Sequence, residues 1–243
     1  MHQLIGMYYS PWTERARWAV DYHRLPHRYT EYTTMLGEPL LRLRAGKWLG
    51  KVSVPLLLTP DGPVNDSFRI AAYADRHSTR APLVPPAREA AIADWVNAAE
   101  LALCSARIRA TRRIGRSTGA LAERLPAYVP DPLRTPMIPM AFVATRYILA
   151  KYDLKDADDA QLFRHMDAFF DRADRALQGR ESLFETFGFA DMVVATALQA
   201  LTPVDDRYIP LGPASRQCMC EPELAGKYAS LIAWRDRTYE NLR

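Results

Sequence analysis

Cysteine is scarce in this chain: Cys104, Cys218 and Cys220 among 243 residues. An odd, sparse set does not build a disulfide framework. The Cys218-Met219-Cys220 pair stands away from the five scattered histidines. A zinc centre needs about four converging ligands, so no metal site is expected. Long apolar runs are missing too. No stretch reaches the ~18 residues of a membrane-spanning helix, so no membrane partner is expected. The N-terminal run Leu4–Tyr9 is short and soon meets Pro11, Glu14 and Arg15. It lacks the basic start and apolar core of a secretory signal, which points to a cytoplasmic protein. Nor is one sign of charge in excess: 32 Lys+Arg face 28 Asp+Glu, a net charge of +4. With apolar residues at 49%, that balance excludes a disordered chain. The basic residues form no stripe interleaved with aromatics, so nucleic acid is not an expected partner.

Two textures divide the chain. Up to about residue 80, short apolar runs alternate with helical patterns. Leu4–Tyr9 reads as a strand and Glu14–His23 as a helix carrying Ala16, Trp18, Ala19, Val20 and Tyr22. Tyr29–Tyr32 reads as a second strand. Val52–Leu58 is an apolar, β-branched run that stops at the turn signal Thr59-Pro60-Asp61-Gly62. Val64 begins another strand, and Ser67–His77 reads as a helix. Ala81-Pro82-Leu83-Val84-Pro85-Pro86 then breaks the pattern as a stiff linker. Beyond it the spacing turns helical: Ile92 to Leu103, Phe142–Lys151, Leu162–Leu177, Met192–Leu201 and Leu224–Tyr239. Five prolines between Pro126 and Pro139 suggest an extended surface loop.

Three short segments bear chemistry. Tyr8-Tyr9-Ser10-Pro11-Trp12-Thr13 joins the first strand to the first helix. Ser10 stands where unpaired N–H groups and the helix dipole favour negative charge. Its hydroxyl can cap the helix or donate to an anion held there. Val54-Pro55 opens the apolar run, and a cis bond there would present the Val54 N–H and C=O to a peptide. Asn65-Asp66-Ser67 leads into a helix. Ser67 makes a good cap there, and the same group suits an amino-acid head, with Asp66 against its ammonium.

No one of these is specific, but their order and spacing are. Strand, Ser-Pro-aromatic, helix, Val-Pro, Asp-Ser at a helix start, Pro-rich linker, then all helix: this resembles the cytosolic glutathione transferase superfamily along nearly the whole chain. Phe187-Gly188-Phe189-Ala190-Asp191-Met192 is similar to that superfamily's hydrophobic-staple and capping-box segment. Gly188 departs from the usual Ser or Thr, so half of the reciprocal capping is absent. The resemblance implies an α/β thioredoxin-like domain (residues 1–78), a linker (79–86) and an all-α domain (87–243).

It also implies glutathione as co-substrate, with no metal. Ser10-Pro11-Trp12-Thr13 falls where thioredoxin relatives carry Cys-Pro-x-Cys, and both cysteines are absent. A dithiol oxidoreductase is thereby disfavoured, because exchange needs an attacking thiolate. In the serine-type (tau, phi, theta-like) classes a hydroxyl here bonds the glutathione sulfur. Ser10 is therefore the catalytic candidate, with Tyr8 or Tyr9 as alternatives. Trp12, Thr13, Lys51, Val54, Pro55, Asp66 and Ser67 are the candidate glutathione-binding residues. Val54 would pair with the cysteinyl unit before a cis Pro55. Asp66 and Ser67 would hold the γ-glutamyl end, and Lys51 would reach the glycyl carboxylate. Trp12, Arg107 and Tyr128 are candidates for the electrophile pocket, and Tyr147 is either cleft or core. Arg107, Arg109, Arg112, Arg113 and Arg116 crowd one stretch, either as a solvated or paired surface or as an anion-attracting wall of the cleft.

The expected function is a glutathione S-transferase that activates the thiol for attack on a small hydrophobic electrophile, a detoxification chemistry, in a homodimer. Isomerase, dehalogenase or peroxidase activity starts from the same thiolate. A non-catalytic binding or assembly module is the alternative from another class, since fold does not fix function.

Overall fold

The computed structural model describes residues 1–33, 37–50, 52–125, 129–151 and 158–243. Strand β1 (His2–Gly6) leads into helix α1 (Pro11–Tyr22), which returns the chain to β2 (His27–Glu31). The two strands are parallel, with His2 opposite His27 and Gly6 opposite Glu31. A parallel pair needs such a crossover helix. After α2 (Glu38–Ala45), β3 (Leu56–Thr59) and β4 (Gly62–Asn65) form an antiparallel hairpin that leads into α3 (Ser67–Arg76). The sheet order is β2-β1-β3-β4. Pro63 sits in β4, at an edge, where its missing N–H costs no ladder bond. At the hairpin tip the Thr59 hydroxyl donates to the Gly62 carbonyl (2.7 Å). Gly62 there has φ +113°, a conformation natural to glycine.

The rest is helical. A 3₁₀ turn (Pro86–Arg88) opens α4 (Glu89–Ile114), followed by α5 (Thr118–Glu123), α6 (Asp131–Lys151), α7 (Asp159–Leu177) and α8 (Phe189–Ala197). A second 3₁₀ turn (Leu198–Ala200), α9 (Pro213–Cys218), α10 (Pro222–Lys227) and α11 (Ala229–Leu242) complete it. Every residue of α8 is buried, as expected for a helix apolar all round. Trp18, Ala19 and Ala71 of the sheet-bearing part join Met192, Val193 and Leu198 in one apolar cluster. The Trp18 Nε1–H donates to the Leu242 carbonyl (2.9 Å), and Arg243 pairs with Glu14 (2.7 Å) and Asp21 (2.8 Å). The two parts thus share a core rather than meeting at a wet boundary.

The capping reading at α8 holds in half. The Asp191 carboxylate accepts the Gly188 N–H (2.9 Å), and its second oxygen takes the Leu183 N–H (2.7 Å). Gly188 has no side chain to return the bond. Phe187 packs against the same cluster, its ring 5.7 Å from Trp18.

Several expectations are corrected. The Pro-rich stretch is not an extended loop where it is described: Asp131 begins α6, and Pro136 and Pro139 lie inside it. Both prolines are exposed. Met137, Ile138 and Ala141 pack on Ile114, Leu121 and Leu125, and this tertiary contact holds the helix despite two missing ladder bonds. Strand β3 starts at Leu56 rather than Val52, since the chain turns through Pro55. The stretch read as one helix from Leu224 is broken at Tyr228 into α10 and α11. Helices α2, α5 and α9 were not expected. Leu41 is the only buried residue of α2, so its sequence shows no apolar stripe.

Candidate active site

Sheet register brings the three segments to one edge. Ile5 near the end of β1 faces Leu56, the first residue of β3. Leu56 in turn faces Asn65, the last residue of β4. The loop after β1, the Val54-Pro55 bend and the start of α3 therefore converge. The Val54–Pro55 peptide bond is cis. The Asn65 amide donates to the Ser53 carbonyl (2.8 Å) and the Pro55 carbonyl (2.9 Å), fastening the bend on both sides of Val54.

Ser10 is the N-cap residue of α1 in extended conformation, and Pro11 occupies the first turn. Pro is suited there because that N–H would have no intrahelical acceptor. The Ser10 backbone closes the turn, accepting from Glu14 N–H (2.9 Å) and donating to Met7 carbonyl (2.9 Å). Its hydroxyl makes no capping bond. Of the two roles open to that hydroxyl, capping is the one not taken. The residue itself is 6% exposed.

Tyr8 and Tyr9 are half-buried in the preceding turn, their rings edge to face at 5.2 Å. The Tyr9 hydroxyl donates to Met7 Sδ (3.3 Å), and Arg124 lies 4.1 Å over its ring. Burial raises the Tyr8 hydroxyl pKa against the opposing pull of Arg124, so it stays protonated. Thr13 is fully buried. Its hydroxyl accepts the Met7 N–H (3.2 Å), and a Cβ on Gly6 would meet its methyl at 2.2 Å. Thr13 thus clamps α1 to the end of β1 through a close approach that needs glycine.

At α3 the cap is Asp66 rather than Ser67. Its carboxylate accepts the Phe68 N–H (2.8 Å) and, at longer range, the Arg69 N–H (3.4 Å). Asp66 itself has φ +83°. With the cap role taken, the Ser67 hydroxyl is buried without a partner. Nearby lies a residue the sequence reading passed over. Arg15 of α1 is fully buried, and its Nε, Nη1 and Nη2 make no hydrogen bond. Its nearest counter-charge is Glu100 of α4, at 3.8 Å, with Asp66 also attracting it. Burial drives its pKa down to about 10. Nothing in the sequence marked it, because an arginine in an amphipathic helix reads as solvent-facing.

Trp12 crosses to α4. Its Nε1–H donates to Glu100 (2.6 Å), and the Arg107 guanidinium lies 4.1 Å over the indole. Two of the electrophile-pocket candidates are thereby brought together. Tyr128 and Lys51 lie outside the described residues. Tyr147 of α6 donates to Glu38 of α2 (2.6 Å), tying helices of the two parts. Arg109, Arg112, Arg113 and Arg116 leave the Trp12 side: α4 turns about 100° per residue, which puts them on the opposite face. No cluster of three or more His, Cys, Asp or Glu suited to a metal occurs among the described residues, and none of their helices is long and apolar enough to cross a membrane.

Comparison with known proteins agrees with this architecture. Residues 4–82 match the family model described as the glutathione S-transferase N-terminal domain. No curated protein matches the chain. Among solved structures, a glutathione S-transferase from Methylobacillus flagellatus KT with GSH bound is 18% identical, with a TM-score of 0.61 over 99% of this chain and 95% of that one. One from Methylobacterium radiotolerans JCM 2831, complexed with glutathione sulfonate, is 18% identical (TM-score 0.56; 99% and 91% covered). One from Ceriporiopsis subvermispora in complex with glutathione is 15% identical (TM-score 0.57; 97% and 96% covered). The chain therefore shares the fold of these glutathione S-transferase structures, and its residues 4–82 match the N-terminal domain model.

Proposed function

We propose that the protein is a serine-type glutathione S-transferase. In this reading residues 1–78 bind glutathione, 79–86 link, and 87–243 supply the electrophile pocket. The observation that carries it is the convergence, at one sheet edge, of an uncapped hydroxyl at a helix start, the Val54-Pro55 bend and the Asp66-Ser67 corner. The buried polar atoms of Ser67 and Arg15 beside that edge, which make no hydrogen bond, are donors that a bound carboxylate would complete. The named glutathione complexes of structures sharing this fold support the same ligand.

Ser10 would donate to the sulfur. A free thiol titrates near ~8.5, so little thiolate exists at neutral pH, and lowering it by two pH units takes about 2.7 kcal/mol. One charge-assisted hydrogen bond contributes about 1.5–3 kcal/mol and the dipole of α1 about 0.3–1 kcal/mol, which together suffice. The thiolate attacks the electrophile, and Ser10 forms no covalent bond. Val54 would pair its backbone with the cysteinyl unit, and Lys51 would meet the glycyl carboxylate. Trp12 and Arg107, with Tyr128, would wall the second pocket. The exposed Trp48 and Leu49 after α2 offer apolar surface to a homodimer in the cytoplasm.

The test is a panel of aryl halides, epoxides, peroxides and isothiocyanates assayed with glutathione, together with thermal melting in millimolar glutathione. Melting should rise by mass action. Ser10→Ala should lower turnover at neutral pH about tenfold or more while leaving glutathione affinity nearly unchanged. If Tyr8→Phe causes that loss instead, the donor is Tyr8. If glutathione leaves the melting temperature unmoved, the binding-module alternative takes over.

A further inference from the structure

Guanidinium groups of the helical part flank the loop that carries Ser10 on two sides. On the α4 side Arg107 lies over Trp12, and Glu100 accepts from the N–H of the same indole. That flank therefore carries a carboxylate as well as a cation. On the other side Arg124, the C-cap residue of α5, lies 4.1 Å over the Tyr9 ring. Its charge also favours the ionised form of the neighbouring Tyr8 hydroxyl. Tyr8, Tyr9 and Arg124 are all half-buried, so each keeps surface that a small molecule can reach.

A ring and a thioether order the Arg124 guanidinium. Beside the Tyr9 ring it contacts Met219 Sδ at 3.9 Å, a weak acceptor. The nearby carboxylates are bonded elsewhere. Glu123 accepts the Ala214 N–H (3.1 Å) and the Ser215 N–H (2.7 Å) in the first turn of α9. Glu31 accepts the Tyr29 hydroxyl (2.7 Å) and the Tyr8 N–H (3.3 Å). The sequence after Leu125, Pro126-Ala127-Tyr128, brings no carboxylate. Stacking fixes the plane of the guanidinium, so little rotamer freedom is left to lose when its N–H fork meets a planar oxyanion. That fork matches a carboxylate in two-point contact. Tyr8, Tyr9 and Trp12, set close around Ser10 in the same loop, suit an aromatic partner beside it.

We propose that Arg124 is a specificity-determining residue that selects an aromatic electrophile bearing a carboxylate. This deepens the transferase reading and rests on it. The probes are a chlorodinitrobenzoate and its methyl ester, each assayed with glutathione. In both, the thiolate sulfur bonds to the ring carbon, the C–Cl bond breaks, and chloride leaves with the electron pair. The carboxylate only binds. Each kcat/KM is divided by the uncatalysed rate constant, and the quantity read is the acid-to-ester ratio. The wild-type ratio should exceed unity by about tenfold or more, the scale of one charge-assisted bond, mostly through KM. Arg124→Met and Arg124→Gln remove the charge and should bring the ratio close to unity, whereas Arg124→Lys should restore part of it. Unliganded melting curves report which variants fold. A wild-type ratio near unity, or an unchanged ratio in either neutral variant, overturns the inference and leaves the transferase reading standing. No turnover of either probe overturns it as well, and the transferase reading falls with it where glutathione also leaves the melting temperature unmoved.

Discussion

Asp75 of α3 accepts the N–H of Leu83 at 2.8 Å and, through its other oxygen, that of Val84 at 2.8 Å. One carboxylate thus fixes the linker onto the sheet-bearing part. The Leu83 carbonyl is taken by the Phe189 N–H at 2.9 Å, so the same residue docks on α8. His23 completes the clamp, with Nε2 2.6 Å from Asp75.

Asp75→Ala should leave two N–H groups of a buried segment without acceptors. Each such loss costs about 1–3 kcal/mol. Urea denaturation should show a destabilisation of about 2–5 kcal/mol, and a change below 1 kcal/mol would show that the linker is held otherwise.

Trp12 and Arg15 both depend on Glu100, one for a hydrogen bond and the other for its nearest counter-charge. Glu100→Gln should keep the indole acceptor and remove the charge, whereas Glu100→Ala removes both. The alanine variant should be less stable than the glutamine variant by about 1 kcal/mol. Both should fall below wild type, because the Arg15 guanidinium is desolvated. Chemical denaturation of the three proteins checks the order.

Asp191 has its carboxyl pKa pushed up to about 6, mainly by burial, although the Leu183 and Gly188 N–H groups pull the other way. Its folded pKa thus exceeds its unfolded value near ~3.9. The folded form binds the proton more tightly, so this group's contribution is full below the unfolded pKa and is lost as pH rises through about 6. Asp191→Asn abolishes the titration and turns an amide N–H₂ toward a backbone N–H, costing about 1–3 kcal/mol. In melting curves between pH 4 and 7.5, the wild-type advantage over the variant should shrink with rising pH. A constant gap would refute the buried-carboxyl account.

Pro136 is exposed within α6 and lacks the N–H that would bond to the Pro132 carbonyl. Pro136→Ala should stabilise the protein by about 1–2 kcal/mol, part of the ~3 kcal/mol helix cost of proline being offset by a freer unfolded chain. Urea midpoints measure this.

Much of the candidate site's local geometry was legible because its signals are local. Ser10 at a helix start, Val54-Pro55 at a strand entry and Asp66-Ser67 before α3 are short-range patterns that hold without a partner. The corner at α3 was misassigned in detail. Either Asp66 or Ser67 can cap, and only the backbone at Asp66 selects the carboxylate. Arg15 and Glu100 were illegible, being 85 positions apart and joined by packing. The arginine cluster was visible as spacing, but which face of α4 meets Trp12 was not.

The sequence by itself determined the alternation of strand and helix before residue 80, the helical remainder and the choice of candidate site segments. Those follow from periodicity, proline and capping, which act within a few residues. The tertiary structure alone decided that α6 runs through two prolines, that Arg15 is desolvated, that Ser10 keeps its hydroxyl uncommitted, and that four arginines of α4 face away from Trp12. Each of these depends on contacts between chain segments far apart, whose free energy outweighs local preference and leaves no mark on neighbouring residues.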